Sequence, residues 1–182
     1  MKPLTPIAAW AALAFAAAPP SLAGAQEPVR ARAEIRGKGI EGTAELVERT
    51  QGNATVVEIT VEASGLTPGL HGIHLHETGK CEPDFAAAGG HFDPGPASNP
   101  DPDANHPYHM GDLPQLEVDE EGRGTLHAVT TRVTLSPGPL SLFDADGSAI
   151  ILHAGPDPGR TGPPKSGVSG GARVACGVIQ RR

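Results

Sequence analysis

The chain of 182 residues has few aromatic residues, few cysteines and fewer basic than acidic side chains. Aromatic residues make up 3% of the sequence, and Trp10 is the single tryptophan. The 14 lysines and arginines stand against 21 aspartates and glutamates, which gives a formal net charge of −7. A chain of this sign repels phosphate groups, so the composition argues against nucleic acid as a partner.

No apolar run of the chain reaches the roughly 20 residues that a helix needs to cross a membrane. The longest run spans residues 7–18 and lies between the positive Lys2 and the small residues 23–25. A basic start, a short apolar segment and an A-x-A site are typical of a secretory signal peptide. We therefore predict a signal peptide over 1–25 and one exported domain over 26–182 without a membrane span. The alternatives for the first segment are a membrane anchor or an ordinary N-terminal helix.

Glycine and proline are abundant, with 24 and 19 residues, about twice their usual share. Both are the poorest residues for a helix interior, so few helices are expected. Apolar and polar residues instead alternate with a period of two, as Val29, Ala31, Ala33 and Ile35 do between charged neighbours. The alternation and the turn residues predict eight strands, near residues 29–36, 40–46, 57–63, 70–77, 115–119, 124–133, 148–153 and 173–179.

Short antiparallel strands in one domain are typical of a sandwich or a Greek-key barrel. Two long stretches, 78–114 and 154–172, interrupt the strand pattern. Unstructured loops of this length in a compact domain usually carry function. We therefore predict an all-β protein, an eight-stranded antiparallel Greek-key barrel or sandwich with two long functional loops.

Histidine is concentrated in one part of the chain, since all eight histidines lie between His71 and His153. His74 and His76 are two residues apart on a predicted strand and share a face, whereas His71 points toward the core by the same alternation. The first long loop supplies further candidate ligands, namely His91, His106, His109 and Asp112. Because neutral imidazole suits copper and zinc, the sequence predicts a metal site. The alternative is a set of solvated surface histidines.

Cys81 and Cys176 are the two cysteines of the chain. In an exported protein they enter an oxidising compartment, where a disulfide persists. Neither cysteine has a second one close by in the sequence, which favours a bond between the two. The alternatives are two free thiols or soft metal ligands.

Five segments carry the glycines, histidines and aspartates of one family pattern. They are Gly69–Glu77, Gly89–Pro94, His109–Pro114, Ile151–Ala154 and Gly171–Ile179. In this order and spacing they resemble the copper–zinc superoxide dismutase family, over about residues 30 to 179. The resemblance implies the family's β-barrel fold, copper and zinc as cofactors, and dismutation of superoxide to O2 and H2O2.

Carried over by position, the resemblance implies copper ligands His74, His76, His91 and His153, and zinc ligands His91, His106, His109 and Asp112. Four imidazoles suit Cu(II), whereas three imidazoles and a carboxylate suit tetrahedral Zn(II). The ring of His91 would bridge the two metals through its two nitrogens. The implied reaction is a ping-pong cycle, in which one superoxide reduces copper and leaves as O2. A second superoxide reoxidises it and leaves with two protons as H2O2, and His91 would carry one of those protons.

Further residues gain a role from the resemblance. Arg173 matches the family's active-site arginine, whose charge and planar donors guide a small anion, although a surface salt bridge is the alternative. Asp157 matches an aspartate that links the copper and zinc ligands through their outer nitrogens, although it could instead be a turn-forming residue. Cys81 and Cys176 match the family's disulfide.

One region departs from the family pattern. No histidine follows His91 for 14 residues, so His106 is the one candidate for the remaining zinc ligand, three residues before His109. If His106 does not bind, the protein resembles copper-only relatives. A second alternative is a metal-binding protein on the same fold without turnover.

The remaining features receive general interpretations. Arg160 and Lys165 of the second loop either steer the anion or are solvated loop charges, His71 is read as a hydrogen-bonded core residue, and His127 as an ordinary strand histidine. Family members are monomers or dimers, so a homodimer is one expected outcome. The short alanine-rich signal is typical of bacteria, and so we predict the periplasm as the destination.

Overall fold

A computed structural model describes residues 27–95 and 98–182. Within them lie ten strands and one short 3-10 helix, Phe85–Ala88, and no helix there is both long and apolar enough to cross a membrane. The strands are β1 (Val29–Gly37), β2 (Ile40–Gln51), β3 (Ala54–Ser64), β4 (Gly69–His71), β5 (Ile73–His76), β6 (Leu116–Val118), β7 (Arg123–Thr130), β8 (Ala149–His153), β9 (Arg173–Val178) and β10 (Gln180–Arg181). The predicted signal peptide over 1–25 lies outside the described residues.

Nine strands form one antiparallel sheet in the order β4-β6-β7-β3-β2-β1-β9-β8-β5, and β10 pairs with β1. The strands at the two ends of this order, β4 and β5, follow one another in the chain with only Gly72 between them. The sheet therefore curls into a nearly closed barrel. The predicted all-β antiparallel fold is confirmed.

The described residues hold ten strands where the alternation predicts eight. The predicted strand 70–77 is divided at Gly72, whose N–H donates to the Gly155 carbonyl (2.9 Å) and whose own carbonyl accepts from the His153 N–H (2.9 Å). The chain thus leaves its partner β6 at this glycine and pairs with β8. The tenth strand is the two-residue β10, beyond the last predicted strand.

Apolar residues of the alternating strands fill the interior of the barrel. Ala31, Ala33 and Ile35 of β1 are at most 1% exposed. Each large aliphatic side chain buried in this way stabilises the fold by about 1.5–3 kcal/mol. Phe92, which comes from the long loop after β5, is 1% exposed and joins the same core. The loop that holds the candidate ligands is therefore anchored inside the barrel.

A third long connection, residues 131–148, was not predicted from the sequence. Its side chains Leu135 and Leu142 are fully buried. Glu48 of β2 accepts hydrogen bonds from the backbone N–H groups of Leu135 (2.5 Å) and Ser136 (3.0 Å). These bonds hold the connection against the barrel, where it contributes to the core.

The long loop after β5 pairs with the backbone of β5 itself. The Leu75 N–H donates to the Gly111 carbonyl, the Phe92 N–H donates to the Leu75 carbonyl, and each distance is 2.9 Å. A Cβ at Gly111 would lie 2.3 Å from the Leu75 oxygen, so this close approach requires glycine. The loop thereby satisfies the edge of β5, which would otherwise expose unpaired backbone groups.

Cys81 and Cys176 form a disulfide, with 5.8 Å between their Cα atoms, and this prediction is confirmed. The bond joins the loop after β5 to β9 across a separation of 95 residues. Phe85, Ala88 and Ile151 pack around it as a small second apolar cluster. The loop is therefore fixed at both of its ends, by the disulfide and by its pairing with β5.

Replacement of both cysteines by serine is expected to lower the free energy of unfolding by about 4–5 kcal/mol, because the bond restricts a long loop of the unfolded chain. Urea unfolding of the oxidised protein and of the double variant measures the difference. Reductant added to the unaltered protein provides the control and should produce a similar loss. Equal stability of the two proteins would contradict this account.

Candidate metal centre

The outer face of β5 carries two fully buried histidines. Ile73 and Leu75 point into the barrel core, so His74 and His76 share the opposite face, as the alternation predicts. Both histidines are 0% exposed, because the long loop covers this face. They are enclosed between sheet and loop, which excludes the alternative of solvated surface histidines.

The backbone pairing of the loop decides which of its side chains face β5. Asp112 lies opposite His74, and His91 lies opposite His76, as isolated bridge pairs. The ring centroid of His91 is 4.1 Å from that of His74 and 5.0 Å from that of His76. Residues from separate parts of the sequence thus meet at the surface of one strand.

An irregularity between β8 and β9 brings Arg173 to the same place. The two strands pair regularly as far as Leu152 and Ala175, and the register then shifts so that Arg173 rather than Val174 lies opposite His153. Directly opposed residues of an antiparallel pair point to the same face. The bulge therefore turns Arg173 toward His153, where plain alternation along β9 would turn it away.

Four imidazole nitrogens converge beside this arginine. They are buried, lie within 4.8 Å of one another as a group, and have no hydrogen-bond partner among the described residues; they are Nδ1 of His74 and Nε2 of His76, His91 and His153. A buried nitrogen without a hydrogen-bond partner lowers the stability of the fold by about 1–3 kcal/mol. Four such nitrogens at one point therefore indicate a ligand that they share. Four neutral imidazoles are a donor set that suits copper.

Each of three rings is held through its other nitrogen. His74 Nε2 donates to Asp157 Oδ2 (2.8 Å), His76 Nδ1 to the Gly89 carbonyl (3.1 Å), and His153 Nδ1 to the Gly171 carbonyl (3.0 Å). A proton on one ring nitrogen leaves the lone pair of the other free for a metal. The hydrogen bonds therefore select the tautomers that point lone pairs at the common centre.

The carboxylate of Asp112 collects a second set of ring nitrogens. His91 Nδ1 lies 2.7 Å from Oδ1, and His109 Nδ1 and His106 Nδ1 lie 3.0 Å and 3.3 Å from Oδ2. Three imidazoles and one carboxylate are a donor set that suits zinc. Because His91 contributes Nδ1 here and Nε2 to the first set, its ring lies between the two.

One group of ligand atoms around Asp112, all within 4.8 Å of one another, contains His74 in addition to His91 and His106. His74, however, already donates its Nε2 proton to Asp157 and directs Nδ1 into the first set. His109 is a candidate for the fourth member in its place, because its Nδ1 lies 3.0 Å from Asp112 Oδ2.

His106 reaches this set despite its unusual spacing. A turn closed by the Tyr108 N–H and the Asn105 carbonyl (2.8 Å) brings His106 and His109 to the same carboxylate. The other nitrogen of His106, Nε2, donates to Asp157 Oδ1 (2.6 Å). The turn therefore places His106 within reach of the Asp112 carboxylate in spite of the three-residue spacing from His109.

Asp157 joins the two sets from outside. One of its oxygens accepts from His74 and the other from His106, and the residue is 5% exposed. Its backbone N–H donates to Gln115 Oε1 (2.7 Å). The carboxylate is therefore in position to couple the orientation of one ring in each set.

Burial keeps the rings of the first set neutral. Burial lowers the pKa of His91 to about 4 and the pKa of His153 to about 3, with nearby rings acting in the same direction. It also lowers the pKa of His76 well below its ordinary value. At neutral pH these nitrogens carry no proton that a metal would have to displace.

In the second set, two histidines have raised rather than lowered pKa values. Burial disfavours the charged form of His106, but Asp112 and Asp157 outweigh it and raise its pKa to about 9. Burial likewise opposes protonation of His109, and Asp112 raises its pKa above the ordinary value. Burial acts against ionisation of Asp112, yet hydrogen bonds from the three rings hold its pKa well below the usual range.

Arg173 is fixed by backbone carbonyls that the sequence could not reveal. Its Nη1 donates to the Phe85 carbonyl (2.7 Å) and its Nη2 to the Gly89 carbonyl (2.6 Å). Gly89 also accepts from His76, so one carbonyl orients both the arginine and a histidine. Any residue type supplies a carbonyl, and sequence patterns therefore give no signal for it.

The other polar candidates lie elsewhere. The ring nitrogens of His71 lie 2.8 Å from the carbonyl oxygens of His153 and Thr67, which agrees with its reading as a hydrogen-bonded core residue. His127 is on the exposed face of β7, beside Thr60 Oγ1 (3.2 Å). Arg160 and Lys165 are exposed in the second loop.

Comparison with known sequences identifies relatives over most of the chain. The model of the copper/zinc superoxide dismutase family matches residues 40–179. A Cu–Zn superoxide dismutase of Deinococcus radiodurans is 43% identical over 133 residues, 67% of this chain and 69% of that protein. One of Photobacterium leiognathi is 41% identical over 150 residues, 76% of this chain and 78% of that protein.

Solved structures give the same picture. A SOD-like protein from Bacillus subtilis matches with a TM-score of 0.66 and 31% identity, covering 80% of this chain and 95% of that one. The clock protein EA4 matches with a TM-score of 0.68 and 30% identity, covering 84% and 94%. With the family's segments present in order and its model matched over most of the length, this chain belongs to the copper/zinc superoxide dismutase family.

Proposed function

We propose that the protein is a copper–zinc superoxide dismutase, which converts superoxide to O2 and H2O2. The observation that carries this proposal is the meeting of four unpartnered imidazole nitrogens with a fixed guanidinium, Arg173, on one face of the barrel. A site that only stored metal would not need the arginine. Membership of the copper/zinc superoxide dismutase family supports the same reaction.

In this proposal, copper is held by His74, His76, His91 and His153, and zinc by His91, His106, His109 and Asp112. The unpartnered nitrogens of the first set and the convergence of Nδ1 atoms on Asp112 support both assignments. Copper bound there would supply the one-electron redox chemistry that dismutation of superoxide requires. His91 contributes a nitrogen to each set and couples them.

Arg173 guides the anion in this proposal. The chain is acidic overall and repels superoxide at long range, so attraction has to be local. Burial lowers the pKa of Arg173, but an arginine remains charged at any physiological pH. Two carbonyls hold its guanidinium beside the first set, and its remaining N–H groups can donate to a small anion.

Proton delivery is assigned to His91. The product of the second half-reaction takes up two protons, and Nε2 of His91 is a buried ring nitrogen that faces the reacting centre. Nδ1 of the same ring faces Asp112 Oδ1 at 2.7 Å, so zinc held between them would keep the ring in place when Nε2 carries a proton. The second proton comes from water.

Two further parts of the proposal concern the whole protein. The apolar segment at residues 7–18 and the disulfide support export, and the bacterial relatives support the periplasm as the destination. A homodimer stays a prediction. Arg160 and Lys165 are exposed residues of the second loop, and we propose that their charges add to the local attraction of anions.

The alternative is a metal-binding protein of the same fold without turnover. Solved relatives of this fold are described as a clock protein and as SOD-like, so the fold by itself does not decide the activity. A copper-only enzyme would follow if His106 did not bind zinc. His106 Nδ1 lies 3.3 Å from Asp112 Oδ2, which favours the form with two metals.

The test of the proposed function is catalysed decay of superoxide by the oxidised protein loaded with copper and zinc. The expected rate constant approaches the diffusion limit, about 10⁹ M⁻¹s⁻¹, and disappears when copper is chelated. A rate equal to that of an unrelated protein, with copper shown to be bound, would instead establish the binding protein without turnover.

Replacement Arg173→Ala is expected to lower the rate constant by about tenfold or more, because a fixed charge and donors for the anion are lost. Copper content should stay the same, since Arg173 is not a ligand. Arg173→Lys keeps the charge but not the planar donors, so its rate constant should lie between those of the unaltered protein and Arg173→Ala. Arg123→Ala, an exposed arginine on β7, is the control for net charge. Loss of copper from Arg173→Ala would contradict the assigned role.

Zinc affinity is expected to rise with pH by at least about tenfold per unit up to about pH 9, because zinc must displace the proton held by His106 and, below the raised pKa of His109, a second proton. Copper affinity should change little above about pH 6, because His91 and His153 are already neutral. Competition with chelators measures both affinities. Asp157→Asn removes one cause of the raised pKa and should move the zinc profile to lower pH. A zinc affinity that does not vary between pH 7 and 9 would refute this account.

A further inference from the structure

Asp103 is a buried carboxylate that neither proposed ligand set uses. It lies in the first long loop and is 1% exposed. Its Oδ2 accepts from the Gly167 N–H (2.7 Å), and its Oδ1 accepts from the Ser169 N–H (3.0 Å) and the Ser169 hydroxyl (2.9 Å). Within the described residues it forms no salt bridge, so these three donors from the second loop compensate its burial.

Two more hydrogen bonds join the loops at the same place. The Gly162 N–H donates to the Asp103 carbonyl (2.9 Å), and the Thr161 hydroxyl donates to the His106 carbonyl (2.7 Å). Asp103 is itself held by Asp101, whose Oδ1 accepts from the Asp103 N–H (3.1 Å). The second loop is therefore attached to the first through a carboxylate that the first loop orients.

The segment that Asp103 holds leads directly to His153. The Gly171 carbonyl accepts from His153 Nδ1 (3.0 Å). A Cβ at Gly170 would lie 2.7 Å from the Cβ of His153, so backbone and ring are in close contact. A short path thus connects Asp103, through Ser169 and the two glycines, to the ring of His153.

This segment needs an external anchor. Gly167, Gly170 and Gly171 all have positive φ angles, of 76°, 101° and 71°. Glycine reaches these angles easily and loses them as easily, so the segment has little stiffness of its own. Backbone bonds from the Gly155 N–H to the Gly170 carbonyl (3.0 Å) and from the Ala154 N–H to the Ala172 carbonyl (2.7 Å) hold one end of the segment, and the hydrogen bonds to Asp103 hold its other end.

We propose that Asp103 is a positioning residue, which sets the tautomer and orientation of His153 from the opposite loop. The inference rests on the proposed function in one respect, that His153 holds copper. The His153 Nδ1–H bond to Gly171 leaves Nε2 as the free lone pair. Release of the Gly171 carbonyl frees the ring to rotate and to place its proton on Nε2.

The variant Asp103→Asn separates this role from that of a general acidic residue. An amide has one acceptor oxygen, so it can still accept from Ser169 but then presents an N–H group toward the Gly167 N–H. Ser169→Ala is a milder variant that removes one of the three donors and leaves both backbone bonds. Asp101→Asn is the matched control, because it removes the same charge from the same loop and keeps an acceptor oxygen.

The first readout uses the protein loaded with copper and zinc. Asp103→Asn should alter the Cu(II) electron paramagnetic resonance spectrum and speed copper loss to a chelator by about tenfold, the lower end of the effect of outer hydrogen-bond partners. Ser169→Ala should change the copper spectrum and the rate of copper loss in the same direction, but by less. Asp101→Asn should match the unaltered protein in its copper spectrum and in its rate of copper loss. In Asp103→Asn, the absorption of Co(II) bound at the zinc set should also match that of the unaltered protein.

The second readout needs no metal and no activity. Nitrogen-15 NMR of the chelator-treated protein reports which ring nitrogen of His153 carries the proton. The expected result is Nδ1–H in the unaltered protein and a mixture of tautomers in Asp103→Asn. Failure of copper to bind the unaltered protein would overturn the proposed function, whereas this measurement still decides the role of Asp103.

Three outcomes would overturn the positioning role. One is an unchanged tautomer and copper spectrum in Asp103→Asn. Another is an equal change in Asp101→Asn, which would assign the effect to lost charge. A fall in melting temperature of Asp103→Asn with unaltered copper and ring signals would also count against it, because it would make Asp103 a purely structural residue.

Discussion

Backbone hydrogen bonds between the first long loop and the edge of β5 are the interaction on which the metal centre depends. Leu75 pairs with Phe92 and Gly111, and this pairing sets His91 and Asp112 opposite the two strand histidines. A loop attached only by side chains would leave those ligands free to move, and a metal site requires donor positions fixed to within about half an ångström. The burial of Phe92 in the barrel core and the disulfide reinforce the same attachment.

Three buried carboxylates complete the arrangement, and each holds together parts of the chain that the sheet does not. Asp112 gathers three rings, Asp157 links a ring of one set to a ring of the other, and Asp103 ties the second loop to the first. A buried carboxylate without partners is costly, so each accepts several hydrogen bonds. The hydrogen bonds that compensate the burial of each carboxylate also fix the orientation of the groups that donate them.

The sequence was sufficient for the fold class and for the gathering of the histidines, because period-two alternation and side-chain chemistry are local properties. It was insufficient where tertiary pairing overrides the pattern. The division at Gly72 follows from a change of partner strand, and the position of Arg173 follows from a bulge that reverses the expected face. The sequence gives no signal for the role of Asp103, since its partners lie 64 and 66 residues away. The connection 131–148 contains turn residues, but its attachment to the barrel has no marker in the sequence because its anchor is Glu48 on another strand.

The hydrogen bond between His74 and Asp157 spans 83 residues, that between His106 and Asp157 spans 51, and the disulfide spans 95. Contacts between such distant segments form late, since the entropy of closing the chain has to be overcome before they contribute stability. Early in folding, the strands of the barrel can pair while the second loop is still undocked, and His74 and His106 then lack their common carboxylate. The orientation of these two rings by one carboxylate is accordingly a property of the finished fold, and it distinguishes chains whose second loop has docked from those in which it has not.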